Sequence, residues 1–344
     1  MSLASALKTG DLTELPSRRD EDWRWTDLRG LIRTLPPLSP KFEGDIGVGP
    51  FAADETLTLV NGQGAIDLTL AAGETRVISM RLISATAATA HAGRVRITVG
   101  EGARLTLLES HEGLGEGYLS EIALDIHLAS DAVVERIVLA SDAPEAVSVV
   151  DAEVALSAGA RFAQTLLTSG ARRQRIETRV AHPGAHADLR LDGIYLLDGQ
   201  RHADLTTQVT HAGVDGTTSQ LTKGMVADQA RGVFQGRIIV QPGADQTDAR
   251  MGHHALILSD KAEVDAKPEL LIFADDVSCA HGNTIGALDE QAIFYARQRG
   301  IPEMEARAML TEAFVGEVVE RIEHEPAREV ARAWVAQRLG RSNI

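Results

Sequence analysis

Between Thr56 and Ile285 the chain alternates in twos. Apolar and polar residues trade places in short runs: Arg76-Val77-Ile78-Ser79-Met80, then residues 94–99, 104–108, 121–126 and 133–138. A period of two is the mark of a strand with one face buried. The breaks are small and polar, and each closes on an alanine. They are Glu101-Gly102-Ala103, Ser130-Asp131-Ala132, Ala158-Gly159-Ala160, Pro183-Gly184-Ala185, Pro242-Gly243-Ala244 and Asp260-Lys261-Ala262. The first four alanines stand 29, 28 and 25 residues apart, and the last two 18. Self-similarity on this scale points to a solenoid. No helical run of ten residues intervenes, which removes βαβ crossovers. Hairpin turns are scarce too, with Asn61-Gly62 and Asp215-Gly216 the exceptions. The pattern therefore predicts an all-β core, a parallel β-helix over residues 41–286, filled by inward Val, Leu, Ile and Ala.

The flanks change period. Residues 1–40 predict an N-terminal helical segment. Its start signal is Ser17-Arg18-Arg19-Asp20-Glu21-Asp22-Trp23, with Trp23, Trp25 and Leu28 as the apolar set that anchors it on the main body. Leu35-Pro36-Pro37-Leu38-Ser39-Pro40 breaks the helix and links it to the core. Residues 287–344 predict a C-terminal helical domain. Asp289 caps a first helix with Ile293, Phe294 and Tyr295, and Gly300 ends it. Pro302 opens a second, with Met309, Leu310, Ala313, Phe314, Val318 and Ile322 on its apolar face. Glu325-Pro326 breaks that helix, and a last one carries Val330, Trp334, Val335 and Leu339. Such stripes either pack on the body or form a docking surface for another protein.

Composition narrows the function. The chain of 344 residues is 44% apolar and 24% charged, with a formal net charge of −15. That balance excludes nucleic acid and anionic membrane as partners. Aromatic residues make up only 4%, too few for a base-stacking platform. No run of eighteen apolar residues occurs, and residues 1–12 lack the pattern of a secretion leader. One cysteine forbids an internal disulfide framework and fits a reducing cytoplasm.

That cysteine, Cys279, lies in Lys267–Gly286, where strand texture gives way to helix. His281 follows two residues later, so both side chains fall on one face of a strand. Thiolate and imidazole are ligands for iron or zinc, and Asp275 and Asp276 could add oxygens or orient the histidine. Two strong ligands are too few for a metal centre within one chain, so if a metal binds here a second chain should supply the rest. The plain alternative is a cysteine buried for packing. Gly252-His253-His254 places its histidines on opposite faces and reads as surface histidine. His182 and His186 are separated by Pro183-Gly184, which forbids the helix that would let them chelate. Phosphate-loop, dinucleotide and nucleophile-elbow motifs are absent. Asp188, Arg190 and Asp192 weakly imitate the acid and arginine row of a β-helix carbohydrate-active enzyme. A generic solenoid interaction protein is the third reading.

Two stretches carry a resemblance. Arg19-x-Glu21-x-Trp23-Arg24-Trp25-Thr26-Asp27-Leu28 is one. The other runs from Phe234-x-Gly236 to Gly300. It holds Thr247-Asp248-Ala249, Lys267-Pro268-Glu269-Leu270, Ala274-Asp275-Asp276-Val277-x-Cys279-x-His281-Gly282, Thr284-x-Gly286, Leu288-Asp289 and Phe294-Tyr295-x-Arg297-x-Arg299-Gly300. These resemble the SufB/SufD family of SUF iron–sulfur cluster assembly scaffold proteins, while residues 45–230 resemble it in β-repeat texture only. Length and the single cysteine favour the SufD branch.

The resemblance implies a right-handed parallel β-helix with helical domains at both ends, acting as a non-enzymatic scaffold. It implies partners: a SufB-like paralogue joined edge to edge, and a SufC-like ABC ATPase on the C-terminal helices, with Phe294, Tyr295 and Phe314 as docking residues. His281 is then the residue for a transient Fe–S cluster shared with SufB, with Cys279 beside it. Reduced flavin is associated with such complexes. The same exposed edge leaves a homodimer of the isolated chain open.

Overall fold

The computed structural model describes residues 1–341. The N-terminal segment forms two short helices, α1 (Leu3–Thr9) and α2 (Leu28–Leu31), with 3-10 turns at Leu12–Glu14 and Glu21–Trp23. The helix expected from Ser17–Trp23 reduces to that single 3-10 turn; Asp20 stands at its N-cap position, but its carboxylate accepts from Ser17 rather than from the turn. The segment is a strap rather than a helical domain. Leu3, Ala6, Leu15, Leu28 and Ile32 bury themselves against strand residues Ala90, Leu119, Val147 and Val149, and tertiary contact outweighs local propensity.

Seventeen strands follow. In order they are β1 (Glu55–Val60), β2 (Ile66–Leu70), β3 (Thr75–Ser84), β4 (Ala90–Val99), β5 (Arg104–Gly113), β6 (Leu119–Leu128), β7 (Val133–Ser141), β8 (Val147–Leu156) and β9 (Arg161–Thr168). Then come β10 (Arg173–His182), β11 (Asp188–Leu197), β12 (His202–His211), β13 (Thr217–Val226), β14 (Arg231–Val240), β15 (Asp248–Ile257), β16 (Glu263–Ile272) and β17 (Ser278–Gly286). Odd strands make a nine-stranded sheet and even strands an eight-stranded one, each in simple ascending order. Every strand pair named in these sheets is parallel; strand n pairs with n + 2, as in a parallel β-solenoid with two strands per coil.

The alternation explains the core. Ile66, Leu68 and Leu70 of β2 stand in register with Val95, Ile97 and Val99 of β4, and these with Leu124, Ile126 and Leu128 of β6. All are buried in one continuous core between the sheets. Each fully buried aliphatic of this kind is worth roughly 1.5–3 kcal/mol. The −Ala breaks are corners. Residues with positive φ recur before successive odd strands: Gly73, Gly102, Asp131, Gly159, His186, Asp215 and Gln246. Gly, Asp and Asn tolerate that conformation best, hence the repeating triads. The buried alanine after each corner is Ala103, Ala132, Ala160 and then Ala187, not Ala185. Ala244 and Ala262 precede strands of different sheets, so their spacing measures half a coil. Asn61-Gly62 is a corner as well, not a hairpin. Both residues have positive φ, and a Cβ on Gly62 would sit 2.4 Å from the Ala92 carbonyl oxygen of the next coil.

The chain closes with α3 (Glu290–Gln298), α4 (Glu303–Val319) and α5 (Glu325–Arg341). Asp289 accepts from the backbone N–H groups of Gln291 and Ala292 and caps α3, as expected. Pro302 is the N-cap of α4. The helices α4 and α5 pack on the outer face of the odd sheet. Val315, Val318, Val319, Ile322, Trp334, Val335 and Leu339 share one core with Leu108, Ile137, Leu167, Ile194 and Met225. The buried face of α4 is rotated from the one the spacing predicts: Met309 and Ala313 are exposed, while Val315 and Val319 are buried. Among the described residues no helix is long and apolar enough to cross a membrane.

Candidate functional site

The last coil is half made. β17 pairs with β15 on one side and β16 with β14, and among the described residues no strand follows either in its sheet. Pro268, which has no N–H to give, sits on this edge strand as such residues do. Leu271, Ile272, Phe273 and Ile285 are exposed here, Phe273 at 61%. An unpaired strand edge bordered by apolar side chains is a surface suited to another chain.

Register fixes what β17 offers. Cys279, His281, Asn283 and Ile285 stand opposite Ala249, Met251, His253 and Ala255. Those four β15 residues are buried inside the solenoid. The β17 row therefore lies over the open end of the core. Cys279 is half-buried and packs against that core, and burial, joined by the charge of Asp248, pushes its thiol above the ordinary value. His281 is exposed. Asp275 and Asp276 are exposed in the corner between β16 and β17, and the Asp276 carbonyl accepts from Gln246 N at 2.6 Å. Among the described residues no three His, Cys, Asp or Glu side chains converge as metal ligands would.

The sequence reading missed the group beneath this row. His253, expected at the surface, is fully buried. Its Nε2 lies 2.9 Å from the Tyr195 hydroxyl and its Nδ1 2.7 Å from Asn283 Oδ1. Phe234 stacks on the ring at 4.6 Å and 1°. Burial holds this imidazole down to about 4, so it is neutral at pH 7. The signal that finds it is parity: His253 shares the inward face of Ala249 and Met251. His254 faces the other way and meets Thr284 Oγ1 at 2.6 Å.

Other candidates are placed apart. His182 is buried edge-on against His211, with ring centroids 4.0 Å apart, while His186 is exposed near Asp215. Asp188, Arg190 and Asp192 lie on the outer face of β11, beside the C-terminal helices. Arg190 meets Glu323 at 3.2 Å, and Asp192 meets Arg321 at 3.1 Å. Phe294 and Tyr295 of α3 are 62% and 58% exposed, and Met304 and Met309 of α4 are exposed beside them in sequence. Phe314 is half-buried against the solenoid, with the Lys223 ammonium 4.6 Å over its ring.

The two sequence stretches that stood out meet in space. Lys267 Nζ donates to Glu21 Oε1 at 2.8 Å, and Arg237 bridges Asp22 and Glu269. Trp23 lies 4.6 Å beneath the Arg175 guanidinium, and Thr26 donates to buried Asp204 at 2.5 Å.

A family model described as SUF system FeS cluster assembly, SufBD core domain, matches residues 82–314. The chain is 28% identical to the iron-sulfur cluster assembly protein SufD of Escherichia coli (strain K12), over 98% of this chain and 91% of that protein. It is 26% identical to an iron-sulfur cluster assembly SufBD family protein of Mycobacterium leprae, over 96% of this chain and 92% of that protein. A SufBD family protein of Synechocystis sp. is 29% identical over 67% of this chain, which is 52% of its own length.

Proposed function

Because the chain belongs to the SufBD core family of SUF-system iron–sulfur cluster assembly proteins, we propose that its open last coil is one half of a cluster-assembly site completed by a SufB-like paralogue. The observation that carries this reading is the Cys279–His281 row, set on a free strand edge over an unclosed core. A soft thiol and an imidazole suit iron, and their shortage as ligands suits a shared site. The nascent Fe–S cluster is then cargo, held at the junction and passed on. Asp275 and Asp276 would orient or steady the histidine from the neighbouring corner.

In this reading the chain is a scaffold without catalysis of its own. A SufC-like ABC ATPase would dock on α3 and the exposed first half of α4, through Phe294, Tyr295 and the flanking methionines. Phe314 would transmit that contact to β13 through Lys223 instead of meeting the ATPase directly. Assembly belongs in a reducing cytoplasm, where a lone thiol stays unoxidised.

The test is to co-express the chain with both partners and measure iron and sulfide on the purified complex. His281→Ala is expected to abolish most of the cluster and Cys279→Ser to reduce it. A complex that forms normally and carries full cluster with His281→Ala would overturn the reading.

A further inference from the structure

Asn283 is the third inward-facing side chain of β17, after Cys279 and His281, about 6.6 Å along the strand from the histidine. We propose that Asn283 is a sulfur-recognising residue of the same site, presenting its amide N–H groups to sulfide or thiolate sulfur at the open end, and that Tyr195 and His253 position it. The proposal rests on the reading of the open end as a cluster-assembly face.

The direction of the hydrogen bonds follows from burial. Tyr195 has no solvent exposure, and its hydroxyl meets His253 Nε2 at 2.9 Å. A buried O–H must find an acceptor, so Tyr195 donates and Nε2 accepts. The single imidazole proton is then on Nδ1, which donates to Asn283 Oδ1 at 2.7 Å. With its oxygen engaged below, the amide turns its two N–H donors to the exposed side. The reverse tautomer would strand the tyrosine proton in the core.

The arrangement is built. The Tyr195 ring passes between Gly224 and Gly232, where a Cβ would fall 1.8 Å and 2.5 Å from its atoms. Phe234 fixes the plane of the imidazole. A neutral imidazole is required throughout, and burial keeps it so at physiological pH. N–H donors directed at cluster sulfur stabilise its negative charge and tune its potential. Asn283 would thus supply what Cys279 and His281 lack, a donor for the anion rather than a ligand for the metal.

The test uses the full chain in complex with its SufB-like and SufC-like partners, reconstituted with ferrous iron and sulfide. The readout is the half-life of the cluster absorbance under a chelator. Asn283→Asp keeps the oxygen that accepts from His253 but replaces the N–H donors with negative charge. A donor role predicts a half-life shortened on the order of tenfold. Tyr195→Phe frees Nε2, lets the amide turn over, and predicts a smaller loss. If Asn283 merely splints β17, both variants match the wild type and the proposal fails. His281→Ala in the same preparation tests the underlying reading. Loss with His281→Ala but none with Asn283→Asp removes only the proposal; no loss with His281→Ala removes both. Nitrogen-15 NMR of the isolated chain reads the tautomer of His253 independently. Nδ1–H is expected, and Nε2–H overturns the argument.

Discussion

Lys267 Nζ and Glu21 Oε1 are hydrogen-bonded at 2.8 Å across 246 residues of sequence. The pair fastens the N-terminal strap to the strand that forms one edge of the open coil. Glu21 is fully exposed, so solvent screens the contact. Lys267→Met is expected to leave Tm nearly unchanged. Hydrogen exchange of the β16 amides should quicken at low salt and match the parent at high salt.

The deeper fastening is Arg175. Its guanidinium bonds Asp204 at 2.7 Å, Glu177 at 2.8 Å and the Asp22 carbonyl at 2.7 Å, with no exposure of its own. Arg175→Leu would leave the Asp204 carboxylate buried and uncompensated. The expected loss is about 3–5 kcal/mol in urea denaturation. Trp23 loses its cation–π partner as well, so tryptophan fluorescence should shift red before global unfolding.

Tyr195 needs the space that Gly224 leaves. A methyl group at that position would fall 1.8 Å from the ring. Gly224→Ala is expected to cost about 1–3 kcal/mol through overpacking, measured as a lower urea midpoint. It should also displace His253 and broaden its NMR signals.

Five histidines are buried and held neutral: His91, His182 and His253 at about 4, His202 and His211 at about 3, with burial the leading cause in each. Unfolded, each titrates near 6.5. Their contribution to stability is full above pH 6.5 and is lost as pH falls toward 4, because only the unfolded chain gains the protons. Asp192 and Asp151 act in the opposite sense. Burial raises them to about 7 and about 6, so ionisation at rising pH costs stability. Burial raises Glu121 and Glu135 in the same sense; the five histidines outweigh these carboxylates, and the urea midpoint should fall between pH 7 and pH 5. His253→Phe should flatten part of that fall.

The α3 surface gives a separable test. Phe294→Asp with Tyr295→Asp changes two exposed side chains outside every described core. Tm should stay within a degree or two, while retention of the proposed SufC-like ATPase on an affinity column should be lost.

Much of this was legible in residue order. Alternation from Arg76 to Val138 defined strands, and the alanine triads defined coils, because a solenoid repeats its corner geometry. Cys279 and His281 could be placed on one face by parity alone. The N-terminal strap was misread because its shape comes from partners such as Arg175 and Asp204, more than 150 residues away. His253 was misread because a polar residue inside a core is visible only once its partners are known. Tyr195 lies 58 residues before it and Asn283 30 residues after. The buried face of α4 was misjudged because the sheet beneath it, rather than its own spacing, selects which side chains are covered.

The strap has a consequence for the order of events in synthesis. Residues 20–28 leave the ribosome more than 200 residues before Lys267 and Arg237, to which Glu21 and Asp22 bind. At the elongation rates typical of cells that interval lasts roughly ten seconds or more. Coils can stack one on another as they emerge, and the strap can settle first on Ala90, Leu119, Val147 and Val149 and then on Arg175 and Asp204, while its last ion pairs wait for their partners. The ties of Glu21 and Asp22 to Lys267 and Arg237 therefore close last, and the final coils, up to the strand that carries Cys279 and His281, are the last to be held down by the strap.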